Sequence, residues 1–134
     1  MNEYIQIKEI PPPSKKGRGA FAKKSIKKGT LVEVAHILLI SNEDYEKLAD
    51  TIFWSYCFEW DDPKFNGENP AAVPLSLCQF INHSYTPNLR YEYDYKKLTI
   101  EYYAEQDIAK GKELTVNYNG IVNDKSPMWF EVEK

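Results

Sequence analysis

Runs rich in β-branched and aromatic residues, each cut short by a proline- or glycine-bearing turn, recur along the whole sequence and leave room for little except a fold of short strands. Residues 3–9 set Tyr4, Gln6 and Lys8 against Ile5 and Ile7 and read as a half-buried strand that Pro11, Pro12 and Pro13 stop. A polar loop closing with Gly17-Arg18-Gly19, then Ala20-Phe21-Ala22 and a turn at Lys28-Gly29, predicts strand and turn again, and TLVEVAHILLI (30–40) predicts a longer buried strand. Ser41, with Asp44 three residues on and Tyr45, Leu48, Ala49 and Ile52 at helical spacing, predicts one helix over residues 42–53. WSYCFEW (54–60) alternates and predicts a strand, residues 61–70 a turn-rich loop, and Ala71 a return to the core. Residues 88–95 and 97–105 alternate and predict an antiparallel hairpin, and 113–117 a last short strand. With about seven to nine strands and one helix, the class is mostly β with minor α.

A length of 134 residues points to a single domain, with a core over about 5–120 and a polar tail over 121–134 carrying Trp129 and Phe130. The 17 Lys and Arg against 20 Asp and Glu give a net charge of -3, so the overall field does not attract phosphates, and direct nucleic-acid binding is not expected. Lys15, Lys16, Arg18, Lys23, Lys24, Lys27 and Lys28 nevertheless crowd one stretch, which is either a solvated loop face or a local partner for an anion. Cys57 and Cys78 are too few and too badly spaced for a zinc site or disulfide framework, so no metal is expected. The N-terminus lacks a basic region followed by an apolar run, and no stretch nears the length of a membrane span, so the expected setting is intracellular, cytoplasmic or nuclear. Aromatic residues make 14% of the chain, more than a core this small needs, which points to rings lining a pocket.

Three segments are odd for a plain β-domain. Gly17-Arg18-Gly19 reads as a tight turn or as a place where backbone approaches a ligand closely. In FINHSYTPN (80–88) an apolar approach opens onto hydrogen-bonding residues, with His83 either a structural cap or a ligand contact. ELTVNY (113–118) is either an ordinary edge strand or one that carries Tyr118 to a site.

Taken in this order, the three resemble the motifs of the SET-domain family of S-adenosylmethionine-dependent protein lysine methyltransferases. The glycine loop resembles its GxG motif, FINHSYTPN its FxNHSCxPN motif, and ELTVNY its ELxxDY motif. The resemblance implies a SET fold of several small sheets of short strands with a C-terminal pseudoknot. It also implies S-adenosylmethionine as cofactor, and a protein or peptide lysine as substrate, entering from the opposite side of a narrow channel.

By the same resemblance, Gly17, Arg18, Gly19, Asn82 and His83 bind cofactor and Tyr118 is the catalytic tyrosine beside the methyl-transfer channel. Tyr91 is a channel aromatic. Tyr56 is either another channel wall or core packing. Methyl transfer from a sulfonium needs its reacting atoms aligned and its amine neutral, and tyrosines surrounding the amine serve both needs by excluding water and by hydrogen bonding.

Departures from the motifs are Tyr85 for the cysteine after His-Ser, Asn117 for the usual Asp, and Gln79 where Arg is common. No cysteine cluster follows Tyr118 in this sequence, so the zinc-binding module of many relatives is not expected. Another element must close the channel, with Trp129 placed over the cofactor and Phe130 beside the lysine; the alternative is that this pair plugs a core edge. A non-catalytic SET-like module that binds a peptide is the competing reading, and a homodimer that completes the groove is compatible with so short a chain.

Overall fold

The computed structural model describes residues 2–68 and 70–133. Its strands are β1 (Ile5–Glu9), β2 (Arg18–Ala22), β3 (Leu31–Ile40), β4 (Phe58–Glu59), β5 (Ala71–Leu75), β6 (Asn82–His83), β7 (Leu89–Asp94), β8 (Thr99–Ala104) and β9 (Thr115–Val116), with one α-helix, α1 (Asn42–Lys47). They form three small sheets: β1-β2, the five-stranded β4-β5-β3-β8-β7, and β6-β9. The mostly β reading with a minor α part therefore holds.

The β1-β2 pair is antiparallel with Ile7 opposite Ala20, so the loop between them folds the glycine motif back along the first strand. β7 and β8 form the predicted hairpin, with Asp94 Oδ1 accepting the Lys97 N–H at 2.9 Å and Leu98 at φ 57° closing the turn. Pro74 lies in β5 opposite Ile37, past the end of two-residue β4, where its missing N–H interrupts no ladder. The sheets share one core in which Trp60, Leu89, Ile100, Tyr102 and Leu114 are buried.

The helix is shorter than the periodicity predicts. Ser41 Oγ accepts the Asp44 N–H at 3.1 Å, the cap read from the sequence, yet α1 buries no residue. With no apolar face docked, a helix this short has little to extend it, and the chain turns at Leu48 into a 3-10 segment, Ile52–Tyr56. The same segment takes the first half of the strand predicted over 54–60, of which only Phe58–Glu59 pairs.

Of the predicted strand over 113–117, only Thr115–Val116 forms, and it pairs in parallel with Asn82–His83. Asn88 clasps this junction: its Oδ1 accepts the Thr115 N–H and its Nδ2 donates to the Glu113 carbonyl, both at 2.9 Å. The Asn-His and tyrosine motifs, far apart in sequence, thus lie side by side. Both cysteines are free thiols, Cys78 buried and Cys57 half-buried.

Candidate active site

Beside the β6-β9 junction opens a cavity of about 1320 Å³ whose lining reaches from Lys16 and Arg18 at one end to Glu59 and Asp61 at the other. Every residue singled out as a candidate on the sequence except Gly19 lies on its wall. The wall also carries the tail carboxylates Glu131 and Glu133 and several tyrosines.

At the basic end, Gly17 takes φ +77°, a conformation that suits glycine. Gly19 is required for another reason: a Cβ there would stand 2.9 Å from Glu113 Oε2 and from Ile10 Cδ1, and 3.0 Å from Asn82 Nδ2. The Arg18 guanidinium lies over the Phe80 ring at 4.6 Å. Asn82 Nδ2 donates to the Arg18 carbonyl at 3.0 Å and to Glu113 Oε2 at 2.9 Å, so the side-chain donors tie motif to motif. Glu113 also holds Lys16 Nζ at 3.0 Å.

His83 is buried, and its Nδ1 accepts the Tyr118 backbone N–H at 2.9 Å. The proton of the neutral ring therefore belongs on Nε2, a buried donor with no hydrogen-bond partner among the described residues. Burial lowers the His83 pKa. Because the folded ring resists protonation while the unfolded one accepts a proton near pH 6.5, the folded state loses stability as pH falls below that value. Melting temperatures across pH 7 to 5 test this: the decline is steeper in the native chain than in His83→Gln, and equal slopes contradict it.

Tyr118 emerges from β9 with its backbone fixed by His83 and its hydroxyl donating to the Ile81 carbonyl at 2.6 Å. Burial pushes its pKa well above that of a free phenol, and Tyr56 lies close enough to add to the shift. The hydroxyl is thus neutral near pH 7, with its proton committed to Ile81 and its oxygen lone pairs left to accept. Tyr91 is pushed up to about 12, first by burial and then by Glu59, and packs edge-on against Phe58 at 5.5 Å. A Cβ added at Gly120 would stand 3.4 Å from the Tyr91 hydroxyl, so the turn after Tyr118 lies beside it.

The tail crosses this site. Trp129 stacks on Tyr118 at 5.9 Å and 19°, with Trp54 edge-on at 6.3 Å and Phe130 edge-on at 5.1 Å, while Phe130 stands edge-on to His83 at 6.1 Å. Both tail rings remain well exposed, at 59% and 40%, and both line the cavity. Further on, Glu133 accepts from Ser14 Oγ and from the Lys15 N–H, each at 2.8 Å, tying the tail to the basic loop.

Sequence reasoning missed Glu113, Asn88 and Glu133 as organisers of the site. Glu113 and Asn88 stood inside motifs read for other residues, whereas nothing local marks Glu133. Gln79, one of the motif departures, donates to the Tyr56 carbonyl at 3.1 Å and to the Pro74 carbonyl at 2.9 Å, holding the 3-10 segment at the cavity. Among the described residues no group of three or more His, Cys, Asp or Glu is placed to hold a metal, and no helix is long and apolar enough to cross a membrane.

The profile of the SET domain matches residues 17–119. A histone-lysine N-methyltransferase specific for H3 lysine 37, from Schizosaccharomyces pombe, is 30% identical over 126 residues, covering 93% of this chain and 78% of the relative. A crystal structure of a candidate histone methyltransferase from Plasmodium falciparum superposes with a TM-score of 0.65 at 27% identity, covering 88% of this chain and 95% of the other. The glycine loop, the Asn82-His83 strand and the Tyr118 strand all fall within the matched span, and the chain belongs to the SET-domain family.

Proposed function

We propose that this SET domain is a protein lysine methyltransferase that uses S-adenosylmethionine, binding it between the glycine loop and β6 and receiving the lysine from the tyrosine-lined side. The observation that carries the reading is the setting of Tyr118, whose backbone N–H is held by His83 and whose hydroxyl is held by Ile81 beside the shared cavity.

The residues at the basic end fit the cofactor. Arg18 supplies positive charge for a carboxylate while Lys16 is paired with Glu113, and the unpartnered Nε2–H of His83 is a buried donor beside the same wall. The volume is ample for a ligand of this size, since such pockets run from about 300 to 1,000 Å³. Gly17, Arg18, Asn82 and His83 would hold the cofactor, with Gly19 allowing the loop to close on Asn82. When bound, S-adenosylmethionine supplies an electrophilic methyl group on a positively charged sulfur.

The chain's own residues prepare the nucleophile. A lysine amine is protonated at neutral pH in water, and desolvation among Tyr56, Tyr91 and Tyr118 lowers its pKa toward the reactive neutral form. The Tyr118 oxygen, with its O–H hydrogen-bonded to the Ile81 carbonyl, accepts an amine N–H and so sets the direction of the nitrogen lone pair. Tyr118 positions the amine and does not remove its proton, because its own phenol stays neutral. Glu59 and Asp61 at the far end favour a basic segment around the target lysine, consistent with a histone-type substrate. The similarity to enzymes named for histone methylation supports the same substrate class.

Incubation with S-adenosylmethionine labelled in its methyl group and a mixture of core histones tests the reading. Label is expected on lysine side chains in the histone fraction. Label confined to other residue types, from an enzyme that demonstrably binds the cofactor, would overturn it.

A further inference from the structure

Two motif departures, Tyr85 and Asn117, make the same kind of contact. The Tyr85 hydroxyl donates to the Ser126 carbonyl at 2.9 Å. Asn117 Nδ2 donates to the Asp124 carbonyl at 2.6 Å and to the Val122 carbonyl at 3.4 Å. A cysteine lacks the reach for the first contact, and an ionised aspartate has no donor for the second. Both side chains therefore bind backbone acceptors in the tail, just before its aromatic pair.

We propose that Tyr85 and Asn117 are positioning residues that anchor residues 122–126 and thereby set Trp129 and Phe130 over Tyr118 and His83; the proposal rests on the reading of the site given above. Asn117 is buried, and it also accepts the Asn119 N–H at 3.0 Å, so its amide orientation is fixed at both ends. Asn119 Nδ2 adds a second donor to the Ser126 carbonyl at 3.0 Å, and Lys125 Nζ returns to the Tyr85 carbonyl at 3.2 Å. Ser126 in turn binds Asp124 Oδ1 through both its N–H and its hydroxyl. Only Pro127 and Met128 separate this knot from Trp129, and the proline restricts how the chain leaves it.

Burial alone does not place the two rings. At 59% and 40% exposure, Trp129 and Phe130 keep much of their surface in water, and the hydrogen-bonded anchor adds a fixed point in the chain just before them. Tyr85 also stands edge-on to His83 at 4.5 Å, which puts the anchor directly against the cofactor motif. The tail is thereby held through side chains of the SET core itself.

Tyr85→Phe keeps the ring and removes only the hydroxyl. In a Trp54→Phe background, where Trp60 is fully buried, acrylamide quenching of the remaining fluorescence reports on Trp129. Quenching is expected to increase in Tyr85→Phe, and the dissociation constant for S-adenosylmethionine to rise about two- to tenfold, the range for one neutral hydrogen bond. In a Trp129→Ala/Phe130→Ala background the same substitution should leave that constant nearly unchanged, because the rings it positions are gone. Asn117→Asp should act in the same direction, and if it fails to fold, Tyr85→Phe decides. Unchanged quenching in Tyr85→Phe, or an equal loss of affinity in both backgrounds, would overturn the proposal. The quenching readout needs no cofactor, so a folded protein that does not bind S-adenosylmethionine refutes the reading of the site while leaving the anchor to be judged separately.

Discussion

Tyr118→Phe is expected to lower the rate of methyl transfer by about a hundredfold or more while leaving cofactor affinity within about twofold. The phenylalanine ring keeps the stack on Trp129 and the backbone bond to His83, since neither uses the hydroxyl. What disappears is the hydroxyl that donates to Ile81 and, in the proposed mechanism, accepts from the amine. Orientation is the enzyme's main contribution to an in-line displacement, so loss of one fixed acceptor falls on kcat. The Ile81 carbonyl also loses its partner, at a cost of about 1 kcal/mol in stability. A variant that transfers methyl at the native rate would remove Tyr118 from the mechanism.

The second large effect is expected at Asn88, which touches no ligand in this account. Asn88→Ala removes the acceptor for the Thr115 N–H and the donor for the Glu113 carbonyl, two partly buried backbone groups at the β6-β9 junction. Leaving both without partners costs about 2–4 kcal/mol, and calorimetric unfolding should show a melting temperature lower by about 10 °C. Asn123→Ala, on an exposed tail position, serves as the control and should stay within about 0.5 kcal/mol of the native chain. If Asn88→Ala melts with the control, the junction is held by something other than this clasp.

The hairpin of β7 and β8 was legible because its pattern is local: alternation on both sides of a turn in which Asp94 caps Lys97. The helix was legible at its start and not at its end, because Ser41 caps it through neighbours in sequence whereas its length depends on what its apolar face meets. Tyr45, Leu48, Ala49 and Ile52 have the right spacing, but Ile52 is 69% exposed and packs no core, so periodicity overstated the helix. The parallel β6-β9 pair could not be read from two-residue strands at all. Strands of that length carry no pattern, and their pairing is fixed by side chains such as Asn88 and His83.

For the site, the motifs brought forward Asn82, His83 and Tyr118, and the structure gathers them around one cavity with Tyr56, Tyr91, Trp129 and Phe130. Their immediate partners were not legible, because the Glu113 link to Lys16 and Asn82, like the Glu133 link to Ser14 and Lys15, joins residues far apart in sequence. Gly19 shows the same limit. Its need for a missing side chain was readable, yet the neighbours that impose it, Ile10, Asn82 and Glu113, come from three separate parts of the chain.

The central claim is that the cavity has a cofactor end organised by Asn82 and a transfer end organised by Tyr118. Calorimetric titration with S-adenosylmethionine, run in parallel on the native chain, Asn82→Ala and Tyr118→Phe, tests it most directly and requires no knowledge of the substrate. The predicted result is saturable one-to-one binding by the native chain, clearly weaker binding by Asn82→Ala, and near-native binding by Tyr118→Phe. Absence of binding by the folded native chain, or equal weakening in the two variants, would contradict it.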